Sequence, residues 1–221
     1  MPAVFFGSIS TLADTSELQR QAFNDAFSAY GLDWQWSRED YRSMLGSNGG
    51  AQRIADYAAS HGQDVDAAAV HAKKSQVFRE LLASSTVTPR SGVVDVIEEA
   101  KRGGQKLGLV TTTSKDNVSA LLSALQPHLN ADTFDVIVDV DSVSSPKPDP
   151  AAYSHALEQL GEDAADAVAI EDNPGGVQAA TAAGISCVAF PNENTAGSDF
   201  TAAAETVDSL DAARVLGLAK S

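Results

Sequence analysis

The first apolar run, Val4 to Phe6, stops at Gly7 and gives way to a polar turn leading to Thr11 and Leu12. Consecutive apolar residues ended by a glycine predict a short buried strand. From Thr15 to Tyr30 the pattern lengthens. Leu18, Ala22, Phe23, Ala26, Phe27 and Tyr30 fall on one stripe of an amphipathic helix. Asp14 and Glu17 have the spacing of a capping box, and Gly31 suits the C-terminal cap. The segments "SREDYRSML", "AQRIADYAASHG" and "DVDAAAVHAKKSQVFRELLASS" carry the same helical period. Residues 15–88 therefore read as all-helical, with "GSNGG" (Gly46 to Gly50) as a flexible loop inside them.

Beyond "TPRSG" short apolar runs alternate with helical segments. "KLGLV", "FDVIVDV", "AVAIED" and "ISCVAF" predict strands, and "TVDSLDAARVLGL" a short strand and a last helix. "VVDVIEEAKRGG", "DNVSALLSAL", "PDPAAYSHALEQLG" and "GGVQAATAAG" predict helices. Asp149 is the expected N-cap of the third of these, with Pro150 in its first turn and Gly161 as its stop. Alternating strands and helices imply right-handed βαβ units and a parallel sheet, and continuous apolar strands imply that both sheet faces are covered. The expected fold is α/β: a Rossmann-like three-layer αβα core from 1–14 and 89–221, with an all-helical cap inserted at 15–88.

Composition narrows the partners. The chain has 221 residues and a net charge of −15, a field that repels nucleic-acid backbones and anionic membranes. No apolar run approaches the ~18 residues needed to span a bilayer, and no secretory leader is visible, so the cytoplasm is the expected location. The single cysteine, Cys187, lies in "ISCVAF" and reads as a packed core thiol.

Open α/β sheets bind ligands beyond the carboxyl ends of their strands. Thr111, Thr112 and Thr113, Lys147 in "SSPKPDP", and the pair Glu171 and Asp172 before "NPGG" all fall at such ends. Hydroxyls, one lysine and paired carboxylates suit a phosphate and a divalent cation. The bland alternatives are turn residues, a solvated lysine and a turn before proline.

In order and spacing, the strand with "TLADT", the helical insert, the strand ending in threonines, "KPDP", "EDNPGG" and "AATAAG" together resemble the haloacid dehalogenase superfamily over essentially the whole chain. The segments "RQAFNDAFSAYGLDWQWSREDY", "NGGAQRIADY" and "TTTSKDNV" are similar to its β-phosphoglucomutase-like and Calvin-cycle xylulose-bisphosphatase-like branch. The resemblance implies phosphoryl transfer by a first motif of the form Asp-x-Asp-x-Thr, in which the first aspartate is the nucleophile and the second the acid/base. Aligned through "TLADT", this chain has Gly7 and Ile9 at those places and keeps only Thr11. Loss of a nucleophile has cost on the order of a million-fold in a measured protease. Loss of an acid/base costs roughly 10²–10⁴. Ser8 and Ser10 are the only nearby hydroxyls, with no adjacent histidine or cysteine to activate them.

The resemblance also places magnesium among carboxylates of which only Glu171 and Asp172 remain, so weak or absent magnesium is expected. Lys147 is expected to pair with Asp172, and Thr111, Thr112 and Lys147 to accept a bare phosphate. Arg53, in "GGAQR", is either a helix-surface arginine or a bidentate ligand of a distal phosphate. Asn117 either contacts the phosphate loop or caps its helix, Gln19 stands where relatives often carry histidine, and Arg90 reads as structural. Two functions stay open: a pseudoenzyme that binds phosphate or a sugar phosphate, and a divergent magnesium-dependent phosphatase of small phosphorylated sugars.

Overall fold

The computed structural model describes residues 2–45 and 49–219. The expected flexible loop falls largely on residues 46–48, outside the described residues. Six parallel strands form one sheet in the order β3-β2-β1-β4-β5-β6. They are β1 (Ala3–Phe6), β2 (Lys106–Val110), β3 (Val136–Val138), β4 (Ala167–Glu171), β5 (Ser186–Ala189) and β6 (Glu205–Thr206). The chain steps from β1 to β2 and β3 on one side, then returns to the other side for β4. The strand order therefore reverses at β1, where open α/β sheets form a ligand crevice.

Alternation along the strands sorts their side chains onto two faces. Val4, Phe6, Leu107, Leu109, Val168 and Ile170 pack on one side. Ala3, Phe5, Ala167, Ala169, Cys187 and Ala189 pack on the other, beneath α8 (Ala151–Leu160) and α9 (Pro174–Ala182). Gly108 makes room for the Phe5 ring, whose edge would lie 2.6 Å from an added Cβ. On the Val4 side pack α6 (Val93–Arg102), α7 (Lys115–Ala124) and the terminal α10 (Ala212–Leu216). Among the described residues no helix is long and apolar enough to cross a membrane.

Among the described residues of 15–88 there are four helices: α2 (Ser16–Ala29), α3 (Arg38–Ser43), α4 (Gly50–Ser60) and α5 (Ala67–Ser84). They bury a cluster of their own, with Phe23, Phe27, Trp34, Trp36, Tyr41, Ile54 and Val70. The Trp36 ring sits 4.9 Å from Phe23 and 4.6 Å from Phe27, centroid to centroid.

Three local expectations need correction. The turn after Gly7 is a one-turn helix, α1 (Ile9–Leu12), because the Ser8 hydroxyl accepts a bond from the Thr11 amide at 3.1 Å. The capping box at α2 does not form. Asp14 accepts from the Ser16 amide and hydroxyl, while the Glu17 carboxylate bonds Arg20, Arg38 and Asn194 instead. Pro150, not Asp149, is the N-cap of α8, and the Asp149 carboxylate accepts from the Ala151 amide at 2.9 Å.

Candidate active site

Strand pairing brings the tips of β1, β2 and β4 to one level, with Phe6 opposite both Leu109 and Ile170. Gly7, Thr111, Glu171 and Asp172 therefore meet at the sheet edge. The Gly7 amide donates to the Ile170 carbonyl at 2.8 Å and the Thr111 amide to the Val138 carbonyl at 2.9 Å. A cavity of about 810 Å³ opens from this edge towards the inserted helices. Gly7, Ser8, Thr111, Lys147 and Asp172 line its floor, and Arg53, His71 and Lys74 line the opposite wall.

Glu171 does not face this cavity. Its side chain is fully buried and turns inward between two glycines. A Cβ added at Gly7 would lie 2.0 Å from its carboxyl carbon, and one at Gly176 2.1 Å from it. The carboxylate thus fills the volume that any side chain at position 7 would need. Its Oε1 accepts from Lys147 Nζ at 2.6 Å and from the Tyr153 hydroxyl at 2.7 Å, whereas Oε2 has no partner. Burial pushes the Glu171 carboxyl up, and the nearby Lys147 ammonium pulls against that shift. Burial and the Glu171 charge push the Tyr153 hydroxyl well above its ordinary value, so it stays a donor.

Lys147 pairs with Glu171 and not with the expected Asp172. Its ammonium also donates to the Gly7 carbonyl at 2.5 Å and the Val110 carbonyl at 2.7 Å. These three bonds use all the protons an ammonium carries. The reason is spatial: without a side chain at Gly7, the longer Glu171 reaches into the gap and meets the lysine there.

Asp172 is held by neutral donors. Its Oδ1 accepts from the Ser8 hydroxyl at 2.7 Å and Asn173 Nδ2 at 3.1 Å, and Oδ2 from Asn192 Nδ2 at 2.6 Å. Ser10 bonds Thr15 at 3.0 Å within the protein. The Ile9 side chain is buried in the sheet core. Thr11 is fully buried, its hydroxyl 3.2 Å from Ser8 Oγ. Thr111 and Thr112 line the floor, and Thr111 Oγ1 accepts from the Thr113 amide at 3.2 Å. Asn117 bridges two parts of the fold, accepting from Arg79 of α5 at 3.1 Å and donating to Thr113 at 3.1 Å.

The donor set does not suit a hard divalent cation. Such an ion takes several oxygens in a near-octahedral shell. Here Glu171 is spent on Lys147 and Tyr153, and both Asp172 oxygens face amide or hydroxyl protons. Among the described residues no group of three or more His, Cys, Asp or Glu side chains is placed to hold a metal.

On the opposite wall Arg53 is buried, its Nε donating to the Met44 carbonyl at 3.0 Å and its guanidinium 5.7 Å from the Tyr41 ring. Lys74 is also buried, donates to Gln19 Oε1, and lies 4.8 Å from the Phe23 ring. Burial and then the Arg53 charge lower the Lys74 ammonium to about 7, and burial and then the Lys74 and Arg53 charges lower the His71 imidazole to about 4. Arg90, as expected, is structural: its guanidinium binds the Ser10, Phe190 and Pro191 carbonyls and stacks on Phe190. Cys187 is buried, and burial raises its thiol far above the ordinary range.

Sequence reasoning missed Lys74, His71, Tyr153 and Gly176. A trace of Lys74 is present, since it lies on the buried stripe of α5 with Val70 and Phe78. Tyr153 looks like any core aromatic of α8, and nothing in the chain ties Gly176 to Gly7 before folding.

A parallel sheet whose order reverses at β1, with a lysine and an acid at the strand tips lining one cleft, defines a doubly wound α/β fold that binds at the carboxyl ends of its strands. The chain belongs to the haloacid dehalogenase-like hydrolase family, whose model matches residues 10–190. It is 41% identical over 216 residues to Protein CbbY of Rhodobacter capsulatus, covering 96% of this chain and 95% of that protein. It is 40% identical over 210 residues to Protein CbbY of Cereibacter sphaeroides, covering 94% of this chain and 91% of the relative. The crystal structure of CbbY from Rhodobacter sphaeroides in complex with phosphate superposes with a TM-score of 0.87, at 40% identity and 95% coverage of each chain. A mutant of that protein in complex with Xylulose-(1,5)bisphosphate superposes equally, with a TM-score of 0.87.

Proposed function

We propose that this chain is a phosphosugar-binding member of the family that has given up aspartyl phosphoryl transfer. Residues 15–88 act as a cap over the core formed by 1–14 and 89–221. The observation that carries the reading is the floor of the cleft, where Gly7 offers no nucleophile and the Glu171 carboxylate already fills the space of one, 2.0 Å from an added Cβ. Ile9 has no proton to move, and magnesium binds weakly or not at all because its carboxylates are committed elsewhere. The cavity volume and its basic wall support a small phosphorylated ligand, and the complexes of the structural relatives with phosphate and a pentulose bisphosphate point to the same class.

The Ser8–Asp172 bond of 2.7 Å favours one alternative, a divergent phosphatase in which Asp172 draws on the serine proton. Phosphate release from pentulose mono- and bisphosphates, with and without magnesium, separates the two. The expected result is release at the buffer rate. Magnesium-dependent turnover abolished by Asp172→Ala and Ser8→Ala overturns the proposal.

A further inference from the structure

We propose that the cleft takes a sugar monophosphate with its phosphate against the inserted helices and its hydroxyl end on the sheet, and that it discriminates against the matching bisphosphate. This inference rests on the binding function proposed above and names the ligand class that the same cleft prefers.

The two ends of the cavity differ in what they offer an anion. At the floor Lys147 is matched by Glu171, and its remaining protons go to the Gly7 and Val110 carbonyls. No proton of this ammonium is left for a phosphate. Asp172 lines the same floor and is oriented by Ser8 and Asn192 rather than by a cation. A phosphate dianion placed there would face that carboxylate, while the Lys147 charge beside it is already matched by Glu171. A sugar hydroxyl suits the place better: Asp172 accepts its proton, and the Ser8, Thr111 and Thr112 hydroxyls lining the floor bond in either sense.

The opposite wall carries Arg53, Lys74 and His71, and the Lys74 ammonium meets an amide oxygen of Gln19 rather than a carboxylate. The Lys74 ammonium, with the positive charge of Arg53 near it, makes this wall the side that attracts an anion. Both side chains are already buried, so little ordering is needed when the anion arrives. A lysine lowered to about 7 regains its proton when a phosphate enters, which strengthens binding on the acid side of neutrality. The cavity thus has one anion-binding end and one hydroxyl-binding end.

Calorimetric titration of the wild-type chain in chelator-containing buffer, with a pentulose 5-phosphate and the corresponding 1,5-bisphosphate, tests the inference. The monophosphate is expected to bind at least about tenfold more tightly, a ratio of ten being about 1.4 kcal/mol. Lys74→Met is expected to weaken monophosphate binding by about tenfold or more, and Asp172→Asn to narrow the preference by improving the bisphosphate. Equal or tighter binding of the bisphosphate by the wild-type chain overturns the inference and leaves the proposed binding function standing. Binding of neither ligand overturns both.

Discussion

Replacing Gly7 by aspartate puts a side chain where the Glu171 carboxylate already lies, with 2.0 Å between the new Cβ and the glutamate Cδ. Backbone conformation is no obstacle, since Gly7 is not among the glycines with positive φ. Forcing extra atoms into a tight core costs about 1–3 kcal/mol. A second buried carboxylate adds like-charge repulsion, so Gly7→Asp alone should lose roughly 3 kcal/mol or more. Glu171→Ala alone strands the buried Lys147 ammonium and the Tyr153 hydroxyl, a loss of roughly 3–5 kcal/mol. In the double variant the introduced aspartate takes over as the partner of Lys147 — the lysine already reaches the Gly7 carbonyl at 2.5 Å — and the clash disappears. The double variant should therefore be more stable than either single one, with a coupling of at least about 3 kcal/mol between the two sites. Urea unfolding of the four proteins measures it. Losses that simply add, within about 0.5 kcal/mol, would refute the idea that one carboxylate occupies the other's place.

Lys74→Met should stabilise the ligand-free protein at neutral pH. The gap between about 7 and the ordinary 10.5 corresponds to roughly 4–5 kcal/mol of folding free energy spent on that lysine, and a urea midpoint unchanged or lowered would contradict this. Because the folded value is depressed, the unfolded chain binds more protons between about 7 and 10.5, so the wild-type chain should gain stability relative to Lys74→Met as pH rises through that window. At Glu17 burial raises the carboxyl, but hydrogen bonds from Arg20, Asn194 and Arg38 outweigh it and hold the group at about 2. Its contribution is present above the ordinary 4.5 and lost as pH falls towards about 2, so Glu17→Gln should flatten the acid limb of the stability curve over that range. Arg90→Met removes the donor shared by the Ser10, Phe190 and Pro191 carbonyls and should cost roughly 2–4 kcal/mol, read as a lowered Tm.

The strand tips were legible because apolar runs ending in Gly7, Thr111 and Glu171 announce where each strand stops, and the alternation of elements orders the sheet. The residues Gly7 and Ile9, on which the proposed loss of phosphoryl transfer rests, are read directly from the chain. The direction of Glu171 is not. It depends on a gap made jointly by Gly7 and Gly176, which the chain separates from each other and folding brings to either side of one carboxylate. The partner of Lys147 follows from the same gap. Arg53 could be read either as a surface or as a ligand residue, and only the packing of α4 against Tyr41 and Phe23 places it on the cavity wall. Asp14 and Glu17 had cap-like spacing, yet Glu17 is taken by Arg20, Arg38 and the sequence-distant Asn194, and Asp14 divides its oxygens between Ser16 and the Glu193 amide.

The sharpest test of lost phosphoryl transfer is a single-turnover experiment with excess protein, magnesium and a pentulose bisphosphate labelled in both phosphates, followed by rapid quench. All label is expected to remain in the sugar, with none on the polypeptide and none as free phosphate. A burst of labelled protein, or phosphate release above the buffer rate, would contradict the proposed loss.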